Sequence, residues 1–479
     1  MSPPLPAPGL AENECEEEKL MERKKVLGFW DLVFFSFCGI FGVEAIAASA
    51  AIGPSAIFWW LVCICGYFLP FGLIAAELGS TYPEQGGIYG WIKRALGSKW
   101  AARTTWYYWI SLPIWLPGIY VAIAEMAGRM FFPGMGLTGH VLLGIIMIWT
   151  VVGINICSLE TSKWVPNIGS ITQLVVVTGV IVAAIVTFLK TGRFATEINM
   201  ATLMPDLKAE IAFIPMIIYN LFGCELVLGA AGEVKNPGRD LPRALILSAI
   251  VIASLYLIVT FAIWVIVPVA EINIASGILQ VFEIACGKQG IGQIVVIIFG
   301  LNILACLFMS IVPWTLGENR TIAEAARNGE LPEIFGKMTR RNMAPVGASI
   351  VSGMISTVVI VIYGLITRSA AELFWQVISF SCVVNMLSYL ILFPVFIILR
   401  KKDRDTKRPY RIPGPDWFAV LLAIMAEVVV LVAVLIWIIQ PGHEFARSTL
   451  PILVGVLITI LVGEVLVAHS ARKSGICGV

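Results

Sequence analysis

The feature that most constrains this chain is a succession of twelve apolar runs, most of 20 residues or more, separated by short polar segments. About 20 residues of α-helix cross a bilayer core of about 30 Å. Lipid offers no partner for backbone polar groups, so only helices or closed barrels span it. Because 58% of the residues are hydrophobic and only 13% are charged, little chain remains for a domain in water. We therefore predict an all-α membrane protein with twelve transmembrane helices, spans 1 to 12, at residues 28–52, 55–80, 102–130, 138–157, 166–189, 211–232, 242–268, 290–316, 346–366, 372–399, 417–439 and 449–469.

Lysine and arginine are distributed unevenly between the segments that join the spans. Cytoplasmic loops of membrane proteins retain these residues. With the N-terminus inside, 26 of the 33 fall on the cytoplasmic side and 7 on the outer side. This pattern predicts a multi-pass protein of the cell membrane with both termini in the cytoplasm. Residues 1–25, which contain several prolines and glutamates, are expected to be a disordered tail, and residues 471–479 a second cytoplasmic tail.

Span 1 carries two glycines and a carboxylate where lipid favours unbroken, uncharged helix. The stretch is FCGIFGVEA, residues 37–45, and it includes Gly39, Gly42 and Glu44. Glycine lowers helix propensity by about 1 kcal/mol, and a charge at this depth indicates a cavity or a partner. Irregular backbone is tolerated in the membrane only where it lines a cavity or lies within protein. The stretch therefore predicts a broken helix beside a binding site.

Span 6 repeats the F-G-x-E pattern, at residues 222–225 against residues 41–44 in span 1. Each of these spans opens a set of five, and since five is odd the second set must run inverted across the membrane. Secondary transporters built in this way bind substrate near the midplane, between paired broken helices. We predict a first repeat at residues 26–210, an inverted second repeat at residues 211–400, and spans 11 and 12 outside the repeat at residues 401–470.

Several of these features also have a packing interpretation. Glycines in membrane helices serve close helix packing. In span 3, Trp109 would either wall a cation site, since an aromatic face attracts positive charge, or fill the core. Glu77 and Glu233 lie near cytoplasmic helix ends. We expect them to form structural or gate ion pairs with loop residues such as Arg94 and Arg239.

Four longer stretches resemble the amino acid, polyamine and organocation transporter superfamily, and the resemblance covers nearly the whole chain. AAELGSTYPEQGGIYGWIKRALG (75–97) is similar to the loop after helix 2, and GAAGEVKNPGRDLPRAL (229–245) to the exit of helix 6. ENRTIAEAARNGELPEIFGKMTRRNMAPVGA (318–348) resembles the long loop between helices 8 and 9, and RPYRIPG (408–414) the loop before helix 11. The resemblance implies the LeuT-like five-plus-five fold, with alternating access around broken helices 1 and 6.

The resemblance also implies a set of substrate contacts. The family's G-S-G-I-F turn, whose backbone N–H groups hold a substrate carboxylate, falls at residues 37–41, where the first glycine and the serine are missing. The aromatic residue that caps the substrate falls at Tyr219. Some members carry a lysine in helix 5 in place of a sodium ion, but this span has no basic residue between Lys163 and Lys190. The predicted substrate-binding residues are Gly39, Ile40, Gly42, Glu44, Trp109, Tyr219, Gly223 and Glu225.

Two carboxylates near an unwound site favour a substrate with an ammonium group, because an opposite charge offsets part of their burial cost. We therefore expect a secondary active transporter for amino acids or related amines. Glu44 is expected to meet an amino group of the substrate, and Glu225 either does likewise or carries the coupling proton. Polyamine transporters, amino acid permeases and glutamate/GABA exchangers all fit this pattern, with either a proton or sodium as the coupled ion.

Other classes of protein fit the chain less well. The sequence has no mid-membrane histidine, metal-like cysteine pair or activated serine, so we expect neither an enzyme, nor a cofactor, nor a metal site. A net charge of +2 gives no footprint for nucleic acid. A sensor that binds substrate without transporting it would have little soluble chain to relay a signal. If the protein forms a homodimer, spans 11 and 12 are the expected interface.

Overall fold

Long apolar helices dominate the computed structural model, which describes residues 25–473 apart from 85, 133, 158–162, 207–209, 211–213, 274–275, 288, 340–342, 367–369 and 440–448. Ten of the helices in these residues are long and apolar enough to cross a membrane. The same residues form no β-strand, only an isolated bridge between Leu27 and Val234. The prediction of an all-helical membrane protein is confirmed. The predicted terminal tails lie almost wholly outside the described residues.

Predicted spans 2 to 5 and 7 to 12 each correspond to one long helix, with ends close to those predicted except at span 8. A π-helical turn, Ile64–Phe68, interrupts the helix of span 2, and 3₁₀ turns occur at Leu226–Glu233 and Val269–Glu271. In chain order the α-helices are α1 (Phe29–Ile40), α2 (Val43–Ala50), α3 (Ala56–Thr81), α4 (Ile88–Leu96), α5 (Ser98–Phe131), α6 (Leu137–Ile156), α7 (Trp164–Thr191), α8 (Met200–Leu203), α9 (Ile214–Tyr219), α10 (Pro237–Ile266), α11 (Gly277–Cys286), α12 (Ile291–Arg327), α13 (Val346–Ile366), α14 (Ala370–Lys402), α15 (Asp416–Ile439) and α16 (Thr449–Lys473).

Span 1 is interrupted where its glycine-containing stretch predicts a break. Helix α1 ends at Ile40 and α2 begins at Val43. Between them, Phe41 and Gly42 adopt extended backbone, with ψ angles of 90° and 100°. The chain therefore bends away from helical geometry for about two residues and then resumes it.

Span 6 is interrupted more extensively. Helix α9 ends at Tyr219, and the chain resumes as a 3₁₀ helix only at Leu226. Gly223, between them, has a φ of 108°, a conformation that a residue with a Cβ rarely adopts. The F-G-x-E pattern thus marks a true interruption in both spans.

Among the described helices, α5 and α14 pack together most extensively, and α5 also packs on α6, α12 and α13. Helix α5 contains Pro113 and Pro117. Because Pro117 has no N–H, the Pro113 carbonyl loses its helical partner. Ser356 Oγ of α13 donates a hydrogen bond to this carbonyl at 2.9 Å. The helix therefore stays continuous at the centre of the molecule, where it can present side chains to the broken spans.

Helix α12 extends to Arg327, well beyond the predicted end of span 8 at residue 316. The predicted loop from residue 318 is therefore wrong for residues 318–327. Glu318, Asn319 and Arg320 lower the local hydropathy, but all three are buried between helices. A hydropathy pattern cannot distinguish such buried polar residues from a loop in water.

Backbone-to-backbone packing joins the 3₁₀ segment of span 6 to α12. A Cβ built on Gly317 would lie 2.7 Å from the Leu226 carbonyl oxygen, and one built on Gly229 would lie 2.7 Å from the Gly317 carbonyl oxygen. Side-chain rotation cannot relieve a contact this short to backbone. Because Leu226 follows Glu225 and Gly317 precedes Glu318, the packing brings these two carboxylate-bearing residues into one region.

Gly317→Ala is expected to force the 3₁₀ segment away from α12 and to lower the free energy of unfolding by about 1–3 kcal/mol, the usual cost of overpacking. Thermal unfolding of the purified protein measures the effect. Gly153→Ala on α6 is the matched control, because no atom lies within 4 Å of a Cβ built there and alanine favours helix. Equal unfolding temperatures for the two variants would contradict the packing argument.

Candidate functional site

The break in span 1 leaves four consecutive carbonyl groups, at residues 38–41, without ordinary helical partners. Side chains from three other helices, α7, α10 and α12, contact them. An unpaired carbonyl buried at membrane depth is costly, so these contacts stabilise the break. The contacts are Gln173 Nε2 donating to the Cys38 and Phe41 carbonyls at 3.2 and 2.9 Å, Trp314 Nε1 donating to the Gly39 carbonyl at 2.8 Å, and Tyr256 Oη at 2.8 Å from the Ile40 carbonyl.

A single hydroxyl connects the two breaks. Tyr256 Oη accepts the Gly42 N–H at 2.9 Å and lies 2.8 Å from the carbonyl oxygens of both Ile40 and Asn220. Asn220 Nδ2 in turn donates to Ser49 Oγ of α2 at 3.4 Å. The interrupted parts of spans 1 and 6 are therefore held side by side.

The breaks also touch directly. A Cβ built on Gly223 would lie 3.2 Å from Ile40 Cγ1 and 3.3 Å from Trp314 Cζ2. One built on Gly39 would lie 3.2 Å from Leu226 Cδ1. The structure thus brings together Gly39, Ile40 and Gly223, three of the residues predicted to form the site.

Glu225, beside the break in span 6, forms hydrogen bonds with two tyrosines. Its Oε1 accepts hydrogen bonds from Tyr108 Oη of α5 at 2.8 Å and from Tyr389 Oη of α14 at 2.7 Å. Its Oε2 is buried and has no hydrogen-bond partner among the described residues. Because an unsatisfied buried carboxylate oxygen is costly, Oε2 is a position where a cation or a proton would be stabilised.

A chamber lies among α5, α12, α14 and the broken span 6. Its wall combines aromatic faces with hydroxyl, amide and carboxylate groups, a composition suited to an ammonium or guanidinium group. Glu318 supplies the carboxylate; the residue is 1% exposed, and its Oε2 has no partner in the described part of the chain. The lining residues are Ser111, Leu112, Trp115, Tyr219, Phe222, Trp314, Glu318, Ser381, Cys382 and Asn385.

The remaining predicted site residues have different placements. Tyr219 lines the chamber, with its ring centroid 6.4 Å from that of Trp115. Trp109 does not line it: Trp109 Nε1 donates to Asn319 Oδ1 at 2.8 Å, and its ring packs edge-on against Phe335. The core-packing interpretation of Trp109 fits this placement. The backbone of Glu44 belongs to α2, but its side chain lies outside the described residues.

Sequence reasoning missed three residues of this site: Glu318, Tyr108 and Tyr389. Glu318 fell just beyond the predicted end of span 8. The available signal was its spacing of four residues from Trp314, which places both on one face of a helix. Tyr108 lay among aromatic residues that an interfacial belt would also explain, and no local pattern distinguishes Tyr389.

The end of α3 is fastened to the segment that follows α14. Glu77 is fully buried and accepts hydrogen bonds from Arg408 Nη1 at 3.2 Å and from the Ile412 N–H at 2.8 Å. Tyr82 Oη donates to Asp403 Oδ2 at 2.9 Å. Burial of Tyr82, with a smaller contribution from this hydrogen bond, raises its pKa to about 12. Its hydroxyl therefore remains a donor at neutral pH.

The end of span 6 is fastened to α12 and to the start of span 1. Glu233 forms a buried ion pair with Arg320. The Leu27 N–H donates to the Glu233 carbonyl at 3.1 Å, and the Lys235 N–H donates to the Leu27 carbonyl at 3.0 Å. Glu77 and Glu233 therefore form ion pairs, as predicted, but with Arg408 and Arg320. The partners suggested by the sequence were Arg94 and Arg239.

Tyr256→Phe removes the hydroxyl that contacts both breaks and leaves up to three backbone groups without this partner. We expect the free energy of unfolding to fall by about 1–3 kcal/mol, measured by thermal unfolding of the purified protein. Tyr120→Phe is the control, since Tyr120 is a fully buried tyrosine whose hydroxyl has no hydrogen-bond partner among the described residues. A Tyr256→Phe protein as stable as the control would show that the hydroxyl does not hold the breaks.

The chain is similar to known transporters over most of its length. Residues 27–462 match a family model described as amino acid permease. A probable agmatine/putrescine antiporter, AguD, of Lactococcus lactis is 31% identical over 94% of this chain and 96% of its own length. An uncharacterized transporter of Legionella pneumophila is 28% identical over 88% of this chain and 91% of its own. A glutamate/gamma-aminobutyrate antiporter of Lactococcus lactis is 22% identical over 93% of this chain and 90% of its own. The family match extends over nearly all of the described residues, and the chain therefore belongs to the amino acid permease family.

Proposed function

We propose that the protein moves amino acids or related amines across the cell membrane by alternating access. The chamber beside two interrupted helices carries this proposal. The chamber wall contains the carboxylate of Glu318, and Glu225 follows Phe222 of the same wall by three residues. In the part of the chain that the structure describes, neither carboxylate forms a salt bridge with lysine or arginine, and each has one oxygen without a hydrogen-bond partner.

The proposed architecture is a LeuT-like fold of twelve transmembrane helices. Ten long helices and two interrupted segments support the prediction of twelve spans. The interrupted segments open residues 26–210 and residues 211–400, as an inverted repeat requires, and residues 401–470 supply the last two spans. The distribution of lysine and arginine supports cytoplasmic placement of both termini.

The hydrogen bonds at the break favour a positively charged substrate group. Members of the superfamily that resemble this chain hold a carboxylate on backbone N–H groups of helix 1, but here the Gly42 N–H already donates to Tyr256. The carbonyls of residues 38–41 are also occupied by side chains. Substrate charge would then be recognised mainly by carboxylates, with Glu44 and Glu225 meeting amino groups.

The glycines and aromatic residues of the site have complementary roles in this proposal. Gly39 and Gly223 let the two breaks approach each other, and Ile40 packs against Gly223. Gly42 donates its N–H to the Tyr256 hydroxyl between the breaks. Tyr219 covers the substrate from the outer side. Its aromatic face would add about 0.5–2 kcal/mol of attraction for a cation.

Exchange is the transport mode we favour. Two relatives that match most of the chain are named antiporters, one for agmatine and putrescine and one for glutamate and gamma-aminobutyrate. Exchange moves one amine inward as another moves outward, and Glu225 is the candidate to carry a proton if the cycle is coupled to pH. The protein would then act as a carrier in the lipid bilayer, with no chemical change to its substrate.

Transport in proteoliposomes tests the proposal. A thermal-shift screen against amino acids and amines identifies ligands, because binding to the folded state raises its stability. Uptake of labelled ligand into vesicles loaded with unlabelled ligand is then expected to be saturable and to exceed uptake into empty vesicles. Binding without flux would identify a sensor. Neither binding nor flux, in a folded preparation, would refute the proposal.

Glu225→Gln distinguishes a proton carrier from an amine ligand. If Glu225 carries the proton, exchange persists but no longer varies with pH; if it binds the amine, exchange falls at every pH. Initial uptake rates measured from about pH 5 to 8 would show which applies. Glu324→Gln is the control. Glu324 lies near the end of α12 that the sequence predicts to be cytoplasmic, where it accepts a hydrogen bond from Asn328. Unchanged rates and an unchanged pH profile would rule out both roles.

Glu44→Gln is expected to abolish transport while the protein stays folded. The expectation follows from the position of Glu44 directly after the break in span 1 and from the cost of placing a carboxylate at that depth. Uptake assays and size-exclusion chromatography on the same preparation would measure the two properties. Full activity of this variant would remove Glu44 from the site.

A further inference from the structure

The buried carboxylate of Glu318 lines the chamber, and one of its oxygens has no partner among the described residues. Glu318 lies on α12, four residues after Trp314, and both residues line the chamber. The residue is 1% exposed, and Oε2 has no hydrogen-bond partner within the described residues. A charged carboxylate in such surroundings requires a compensating cation. The chamber wall therefore has a place for positive charge that is separate from Glu225.

Glu225 and Glu318 lie on neighbouring segments. The backbone of Leu226 packs against that of Gly317 at a distance that leaves no room for a side chain. Tyr108 Oη donates to Glu225 Oε1 at 2.8 Å, and Ser111 and Leu112, one turn further along α5, line the same chamber as Glu318. The segments that carry the two carboxylates therefore cannot separate without breaking this packing.

A substrate with a single positive group would neutralise only one of these carboxylates. The second would remain buried beside unmatched negative charge, which is costly. A substrate with two positive groups would pair with both. A substrate that carries a carboxylate at its second end would place a negative group against Glu318, and like charges in a site of low dielectric repel strongly.

One further polar atom of the chamber can accept a hydrogen bond from a cation's N–H group. Asn385 Nδ2 donates to Ser111 Oγ at 2.8 Å, which leaves Asn385 Oδ1 as an acceptor without a partner among the described residues. No lysine or arginine is among the residues that line this chamber. Aromatic faces, including that of Trp314, would cover the alkyl chain between two charged ends.

We propose that the substrate is a dication, an alkyl amine whose second end is an ammonium or a guanidinium group, and that Glu318 determines this specificity by pairing with the second group. Glu225 pairs with the first group through its free oxygen. The inference rests on the proposed transport function and names the substrate class for it.

Three compounds that share a four-carbon chain test the proposal: putrescine, 1-aminobutane and 4-aminobutanoate. They keep one ammonium group and place a positive, an apolar or a negative group at the other end. Each competes with labelled putrescine for exchange into proteoliposomes, or with whichever amino acid or amine the wild type transports. For the wild type, we expect putrescine to compete best and 4-aminobutanoate least. Loss of one charged hydrogen-bonded pair corresponds to about a 10- to 100-fold loss of affinity.

Glu318→Gln keeps the shape of the side chain and removes its charge. In this variant we expect the affinity for putrescine to fall about 10-fold or more while the affinity for 1-aminobutane changes little. The affinities for the three compounds should therefore become more similar. Glu318→Asp, which keeps the charge, should retain the order of the three compounds. Glu324→Gln, on the same helix, should behave as the wild type.

Three outcomes would overturn the specificity role of Glu318. They are an unchanged preference for putrescine in Glu318→Gln, an equal loss of all three compounds in that variant, and a wild type that prefers 4-aminobutanoate. In each of these the wild type still transports substrate, so the transport proposal stands. A wild type that transports no amino acid or amine would overturn both proposals, and thermal unfolding of each variant confirms that the protein tested is folded.

Discussion

The site depends on how backbone polar groups are satisfied where two helices break at membrane depth. Water is not available in lipid to pair with a released carbonyl, so each one needs a protein donor. In span 1 these donors come from Gln173, Tyr256 and Trp314, on three different helices. A break is therefore possible only where other helices converge. One of these donors, Trp314 of α12, also lines the chamber, so the chamber lies beside the break.

Satisfying the break also changes what the site can recognise. Backbone groups that bind side chains are not free for a substrate, so the polar contacts left in the chamber come from side chains. Glu318 lines the chamber, and Glu225 lies three residues after Phe222 of the same wall; each carboxylate keeps an oxygen without a described partner. The hydroxyls of Tyr108 and Tyr389 both donate to the same oxygen of Glu225. They fix the orientation of that carboxylate while leaving its other oxygen available.

Local patterns in the sequence were sufficient to predict the helices and both breaks. Apolar runs of membrane-spanning length are a strong signal, and the repeated F-G-x-E places conformational freedom and charge together where lipid disfavours both. Glu318 was missed because the hydropathy rule that identifies a span also ends it where polar residues begin, even when those residues are buried. The pairing of Glu233 with Arg320 was missed because the two residues are 87 positions apart in the sequence. Separation along the sequence does not show which residues are close in space. Long-range partners need the packing of helices, which no single stretch encodes.

Alternating access would require one end of the molecule to open while the other stays closed, and the two ends are fastened by different contacts. At one end, backbone hydrogen bonds join Leu27 to the exit of span 6. Near the start of span 6, Glu210 accepts hydrogen bonds from Ser55 Oγ and Trp59 Nε1, both at 2.6 Å.

Between these two ends lies the Tyr256 hydroxyl, whose single proton is shared between the carbonyls of Ile40 and Asn220. If α1 moves away, the proton stays with Asn220, so the hydroxyl itself is not left unpaired. Water that enters as that end opens can replace the hydrogen bond lost by the Ile40 carbonyl at little cost. The contact that holds the two breaks together is thus also one that can be separated without burying an unsatisfied group.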